Sequence, residues 1–144
     1  MGGVLVAGIG SPPGADRLGG AVIDALGARG LPETVALRAC RTPSELTPLL
    51  LACSRALVID ALLGDGPAGA IHWLKMADLP GAALRLSSHG VGLVEAVQLA
   101  AALGMPEDRL QVLVLDVVLP QSDIQPAWID ALVAQVTAAL SPTA

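Results

Sequence analysis

Apolar residues along this chain follow two rhythms. One is a pair of short unbroken runs, Val4-Leu5-Val6-Ala7-Gly8-Ile9 and Ala56-Leu57-Val58-Ile59, and residues 110–115 are predicted as a further strand. Each has strand length, and a strand without polar alternation is one covered on both faces, as in a parallel sheet. The other rhythm is helical. Leu18, Val22, Ile23 and Leu26 recur within 16–29, and Gly30 closes that stretch. Leu93, Val97 and Ala100 recur within 91–103, closed by Gly104, and Ile129, Leu132, Val133, Val136 and Leu140 share one face of 126–140. Residues 34–39 alternate and predict a further strand. Thr42-Pro43-Ser44-Glu45 sets a Thr N-cap, Pro at N1 and Glu at N3, the capping box of a helix running to about Ser54. A short strand is predicted over 70–76, while 81–86 leaves helix and strand both open. Strands alternating with helices predict an α/β fold: a three-layer α/β/α sandwich with a mostly parallel five-stranded sheet, in one domain over residues 1–144.

Composition narrows the class. The chain has 144 residues, enough for one domain with a real core. Hydrophobic residues make up 53% and charged residues 15%, which excludes intrinsic disorder and raises the question of a membrane. A spanning helix needs about 18–20 unbroken apolar residues. The uncharged runs Met1–Ala15 and Ala131–Ala144 are shorter, and Gly10-Ser11-Pro12-Pro13-Gly14 breaks the first. The start also lacks the basic leader of a signal peptide, so a cytoplasmic protein is expected. Cys40 and Cys53 have no CxxC spacing and read as small buried hydrophobes rather than a disulfide or a metal pair. The charge of −5, with no Phe, no Tyr and two Trp, argues against nucleic acid, which asks for a basic patch or stacking aromatics.

Against so apolar a background the polar residues at strand ends stand out. Open α/β sheets bind ligands beyond the carboxyl ends of their strands, at a topological switch point. Asp16 lies in the loop after the first strand, Asp60 ends the third, and His89 sits in Ser87-Ser88-His89-Gly90 before a helix. Two carboxylates and an imidazole suit a divalent metal or a general acid–base pair. Each residue also has a plainer reading. Asp16 would serve as a helix N-cap, and His89 as a capped loop histidine. Asp60 is harder to explain structurally, because a carboxylate buried without purpose is costly. His72 beside Trp73 reads as surface or substrate edge, Asp65 as a solvated loop residue, and Asp116 as a weaker candidate at the ligand edge. Trp73 and Trp128 read as packing or partner contacts. Gly8-Ile9-Gly10 opens like a dinucleotide fingerprint, but Pro13 takes the third glycine position and Pro12-Pro13 disfavours a tight phosphate turn. No GxxxxGK[ST] loop and no GxSxG elbow is present.

Five segments, taken in order, resemble the nickel-iron hydrogenase maturation endopeptidases. They are Gly8-Ile9-Gly10-Ser11, Asp16-Arg17-Leu18-Gly19, Val58-Ile59-Asp60-Ala61, Gly66-Pro67-Ala68-Gly69 and Ser87-Ser88-His89-Gly90-Val91-Gly92-Leu93. The family pattern is a strand ending Gly-x-Gly-Asn, an acidic pair before Gly-x-Gly, a strand ending Asp-Ala, a Pro-Gly turn, then Ser-x-His-x-x-Gly-Leu. The resemblance spans nearly the whole chain.

The resemblance implies a phosphorylase/hydrolase-like sheet of order 2-1-3-5-4 with strand 4 antiparallel. It implies a peptidase that removes a short C-terminal extension from the hydrogenase large-subunit precursor once nickel is inserted. The family's nickel-contacting and catalytic positions fall on Asp16, Asp60 and His89. The nickel is the substrate's, so no tightly bound cofactor is expected, and the partner is the nickel-loaded precursor, met by a monomer. Three departures bear on activity. Ser11 replaces the family Asn, and the acidic pair is reduced to Ala15-Asp16. Without a gap the ligand position falls on Arg17; a one-residue deletion in the Pro12-Pro13-Gly14 loop puts it on Asp16 and keeps Gly19 in register. Alternative readings are a non-catalytic homologue that binds a precursor or metal without processing it, and a flavodoxin-like or Rossmann-like nucleotide-binding domain.

Overall fold

The computed structural model describes residues 3–10, 17–63, 67–83, 85–86, 90–117 and 123–141. Five strands form one sheet: β1 (Val4–Ile9), β2 (Val35–Cys40), β3 (Arg55–Leu63), β4 (Ile71–Lys75) and β5 (Leu110–Val117). Their order is β2-β1-β3-β5-β4, with every pairing parallel except β4 against β5. That is the order and sense implied by the family resemblance. The two unbroken apolar runs and the strand predicted over 110–115 are the three central strands, which are buried at nearly every residue. The alternating segment and the short strand predicted over 70–76 are the two edges, β2 and β4, which are partly exposed. Burial on both faces is what parallel crossovers impose, because their helices cover the sheet above and below.

Helices α1 (Leu18–Arg29) and α5 (Pro126–Leu140) cover one face, packing Leu18, Val22, Leu26, Leu132 and Val136 onto Val6, Leu57, Ile59, Leu113 and Leu115. Helices α2 (Leu46–Ala52), α3 (Leu79–Ala82) and α4 (Gly90–Ala102) cover the other face, over Ala7, Ile9, Val58, Leu62, Val112 and Val114. The alternation of side chains along a strand produces this division. Thus 58 and 62 of β3, and 112 and 114 of β5, all face α4. Among the described residues no helix is long and apolar enough to cross a membrane. The cysteines are free; burial pushes the Cys40 thiol up to about 11, and Cys53 is raised for the same reason.

Several element boundaries differ from the sequence expectation. β3 runs through Asp60 to Leu63 instead of ending there. Two partners hold the extension. Leu63 pairs with Val117 of β5, and on the other side Leu62 bridges Leu86, while Arg85 donates from Nε to Leu63 O at 3.1 Å. The ambiguous stretch 81–86 is therefore split between the end of α3 and this bridge. The helix expected from 42 opens as a 3-10 turn over Pro43–Glu45 and ends at Ala52. The Glu45 carboxylate accepts the Thr42 and Arg41 N–H groups at 2.9 Å each.

One glycine pair seats the first helix. A Cβ on Gly8 would collide with the backbone of Gly19. A Cβ on Gly19 would lie 2.6 Å from Ile9 N and 2.8 Å from Ile59 O. Only glycine permits so close an approach. The first turn of α1 therefore rests directly on the ends of β1 and β3.

Candidate active site

The chain passes from β1 outward through α1 to β2 and then returns through α2 across β1 to β3, so β1/β3 is the switch point where this architecture opens a crevice. β1 stops there. Its last pair with β3 is Gly8↔Ile59, and the next residue of β3 is Asp60, which pairs with Val114 of β5. Asp60 has no exposed surface, and its Oδ1 accepts the Ala61 N–H at 2.9 Å. By strand alternation its side chain shares the face of Val58 and Leu62, under α4. Gly19 abuts Ile59 on one side of this position, and Leu86 bridges Leu62 two residues further on.

Asp16 and His89, the other two site residues expected from the sequence, lie outside the described residues, as does Asp65. Their described neighbours are informative. Arg17 stands immediately before α1, which begins at Leu18, and the N-cap reading of Asp16 falls outside the described residues. Arg17 is exposed. On the His89 side, Leu86 is bound to the edge of β3 and Gly90 starts α4, on the face that carries Asp60. Among the described residues no group of three or more His, Cys, Asp or Glu side chains is placed to hold a metal.

A second carboxylate is buried on the same face. Asp116, near the end of β5, is 3% exposed. Its Oδ2 lies 3.0 Å from His72 Nε2, and its Oδ1 has no hydrogen-bond partner among the described residues. Where the carboxylate is the acceptor of this bond, Nε2 carries the proton and Nδ1 is left available. The His72 side chain is 47% exposed. Asp116 N–H donates to Ala70 O, and Gly69 N–H to Asp116 O, each at 2.8 Å, which fixes the turn into β4. Gly69 makes that turn with φ of 96°, and an added Cβ there would meet Trp128 Nε1 at 2.9 Å. Leaving one buried acceptor unmade costs about 1–3 kcal/mol, more when it is charged. Trp73, on the opposite face, donates from Nε1 to Gln135 Oε1 of α5 at 3.2 Å. The two tryptophans thus tie β4 and its turn to α5, in keeping with their reading as packing residues.

The register joins the two carboxylates into one arrangement. Asp60 and His72 are both partners of Val114, from opposite sides, so β3, β5 and β4 present Asp60, Val114 and His72 in one row. Asp116 stands one row closer to the carboxyl edge, opposite Leu62. Chemically, Asp60 can ligate a metal or take a proton, and His72 can exchange one. The sequence weighed His72 and Asp116 separately. Nothing in a 44-residue separation signals that they meet, because their contact depends on the antiparallel register of β4.

Comparison with known proteins places this geometry. The family model described as hydrogenase maturation protease (HycI) matches residues 22–140. No curated protein matches the chain. Among solved structures, the hydrogenase maturating endopeptidase HybD from E. coli superposes with a TM-score of 0.80 at 22% identity, over 96% of this chain and 91% of that one. The hydrogenase 2 maturation peptidase of Thaumarchaeota archaeon SCGC_AB-539-E09 gives 0.66 at 24% identity, over 96% and 98%. The [NiFe] hydrogenase maturation protease HycI of Thermococcus kodakarensis gives 0.73 at 17%, over 96% and 92%. At these identities the structures speak for the fold, and the family model speaks for the class. With its model matched across all but the first 21 and last four residues, this chain belongs to the hydrogenase maturation protease family, a family of peptidases.

Proposed function

We propose that the chain removes a C-terminal extension from a nickel-iron hydrogenase large-subunit precursor after nickel insertion. In this reading Asp60 contacts the nickel of the substrate, with Asp16 and His89 as its companions. The observation that carries it is Asp60 itself. A carboxylate with no exposed surface stands one residue past the last β1–β3 pair, at the switch point of the sheet. Burying a carboxylate costs free energy even when it is hydrogen-bonded, and its retention at this place supports a functional role. A substrate metal with open positions accepts carboxylate and imidazole ligands, and this contact would hold the scissile peptide in place. A water activated by metal or carboxylate would then attack the carbonyl. The protein would act as a monomer in the cytoplasm, with no cofactor of its own.

The test is to incubate the protein with nickel-loaded and nickel-free precursor and follow loss of the C-terminal peptide by mass spectrometry. Cleavage of the nickel-loaded form alone is expected, and its disappearance in Asp60→Ala and His89→Ala variants. No cleavage by the wild type, or undiminished cleavage by these variants, overturns the reading. Binding of the precursor without processing would point instead to the non-catalytic homologue.

A further inference from the structure

We propose that His72, held by Asp116, is the proton-transfer residue of the cleavage reaction. This rests on the reading of the chain as a precursor-cleaving peptidase and adds a residue to it. A carboxylate stands where the core calls for an aliphatic side chain. On the α4 face of β5 the preceding inward positions are Val112 and Val114, and an aliphatic side chain would continue the core at 116. Instead a carboxylate is buried there, with one oxygen on His72 and the other unpartnered among the described residues. Packing does not explain it. Orientation of an imidazole does. The carboxylate holds the proton on Nε2 and leaves the Nδ1 lone pair on a half-exposed ring, the arrangement a general base needs.

The placement suits the reaction. Asp60 and His72 flank Val114 on one face of the sheet, two strand spacings or about 10 Å apart at Cα. An extended peptide lying over the end of β5 would have the metal-contacting carboxylate on one side and the imidazole on the other. Hydrolysis requires a proton carrier there. As the water oxygen bonds to the carbonyl carbon, one O–H bond breaks and its proton passes to His72 Nδ1. The C–N bond then breaks, its electron pair stays on nitrogen, and the leaving nitrogen takes that proton from Nδ1. His72 ends as it began, and one water has been consumed. Carboxylates bound to a metal are poor carriers for this transfer, so the reaction gains from an imidazole outside the ligand set. Asp116 is a positioning residue, since it acts through His72. The acidic groups sharing the face of His72 are Asp116 of β5 and Asp60 of β3, and Lys75 lies three residues along β4 itself.

The experiment compares wild type, His72→Gln and Asp116→Leu in cleavage of nickel-loaded precursor across pH, with the histidine tautomers read by nitrogen-15 NMR. His72→Gln is expected to lower kcat by about 10²-fold or more, with KM little changed and the acid limb of the pH–rate profile lost. Asp116→Leu is expected to fold with an undiminished thermal midpoint yet to lower kcat by about 10-fold or more, since a mispositioned base forfeits much of its catalytic contribution. In wild type, NMR is expected to find His72 protonated at Nε2 and free at Nδ1 when neutral, a preference lost in Asp116→Leu. The chain has two histidines, so a His89→Gln sample assigns the signals. Equal kcat and pH profile in wild type and His72→Gln, or a proton on Nδ1 in the neutral wild type, overturns this proposal alone. A wild type that cleaves no precursor overturns the peptidase reading and this proposal with it.

Discussion

Asp60 and Asp116 are both buried, both near carboxyl ends of central strands, and both on the face beneath α4, yet the fold holds them differently. Asp60 sits at the interior switch point, where β1 has ended and β3 continues. Its Oδ1 takes a hydrogen bond from the next residue of its own strand. Asp116 sits beside the edge strand and spends one oxygen on a half-exposed imidazole, leaving the other without a partner among the described residues. The first carboxylate is built into the architecture that defines a ligand crevice. The second is an isolated charge whose one described side-chain contact is a titratable ring. Burial alone therefore does not rank functional residues. What a buried carboxylate touches, and where the sheet places it, separates a group that meets the substrate from one that steers another side chain.

The largest expected effect tests the interior member of the pair. Asp60→Ala should reduce cleavage by about 10³-fold or more, as loss of a group that engages the reacting centre does. Activity of a quantitative precursor assay checks it. If Asp60→Ala cuts normally while His72→Gln does not, the ranking of the two carboxylates is reversed.

Stability separates the pair further. Replacing a buried, incompletely bonded charge by a leucine of the surrounding core is often neutral or stabilising, by up to about 1–4 kcal/mol. Asp116→Leu should therefore hold or raise the midpoint of urea unfolding while activity falls, a signature of charge retained for function. A midpoint that drops would make Asp116 a structural residue.

A third variant perturbs only the interior region. Gly19→Ala places a methyl against Ile9 and Ile59 backbone atoms, which have no rotamer to change. Overpacking of this kind costs about 2–3 kcal/mol, or roughly 6–12 °C in Tm for a chain of this size. Calorimetry should show that loss, and cleavage should weaken because α1 is displaced at Asp60's strand end, while the His72 tautomer stays as in wild type.

The smallest effect belongs to a control outside the sheet, in the turn that opens α2. The Thr42 backbone N–H, with further bonds from the Thr42 hydroxyl and the Arg41 N–H, holds the Glu45 carboxyl below its ordinary value. A depressed carboxyl stabilises above its unfolded value and loses that contribution as pH falls through its folded one. Glu45→Gln should slightly lower Tm at neutral pH and flatten this acid-side loss, with no change in cleavage.

Much of the fold was readable before any coordinates, and for local reasons. The runs around Val6 and Val58 lack polar positions because both their faces are covered. The positions of Gly30 and Gly104 mark helix ends, and both adopt positive φ. Asp60 was readable as a site candidate because it interrupts an apolar run. Other features were not local. The end of β3 is not legible locally, because Leu62 and Leu63 are held by Leu86, Arg85 and Val117, all distant in sequence.

The sequence by itself determined the alternation of strands and helices, the buried character of the central strands and the family to which the motifs point. These follow from periodicity and short-range chemistry, which each segment carries with it. Tertiary structure alone decided that Asp60 and Asp116 share a face, that Val114 stands between Asp60 and His72, and that a histidine of an edge strand meets a carboxylate 44 residues away. Those relations depend on strand register. A shift of one residue in pairing turns a side chain to the other face, and register is fixed by the whole sheet and the helices packed on it, not by any one segment.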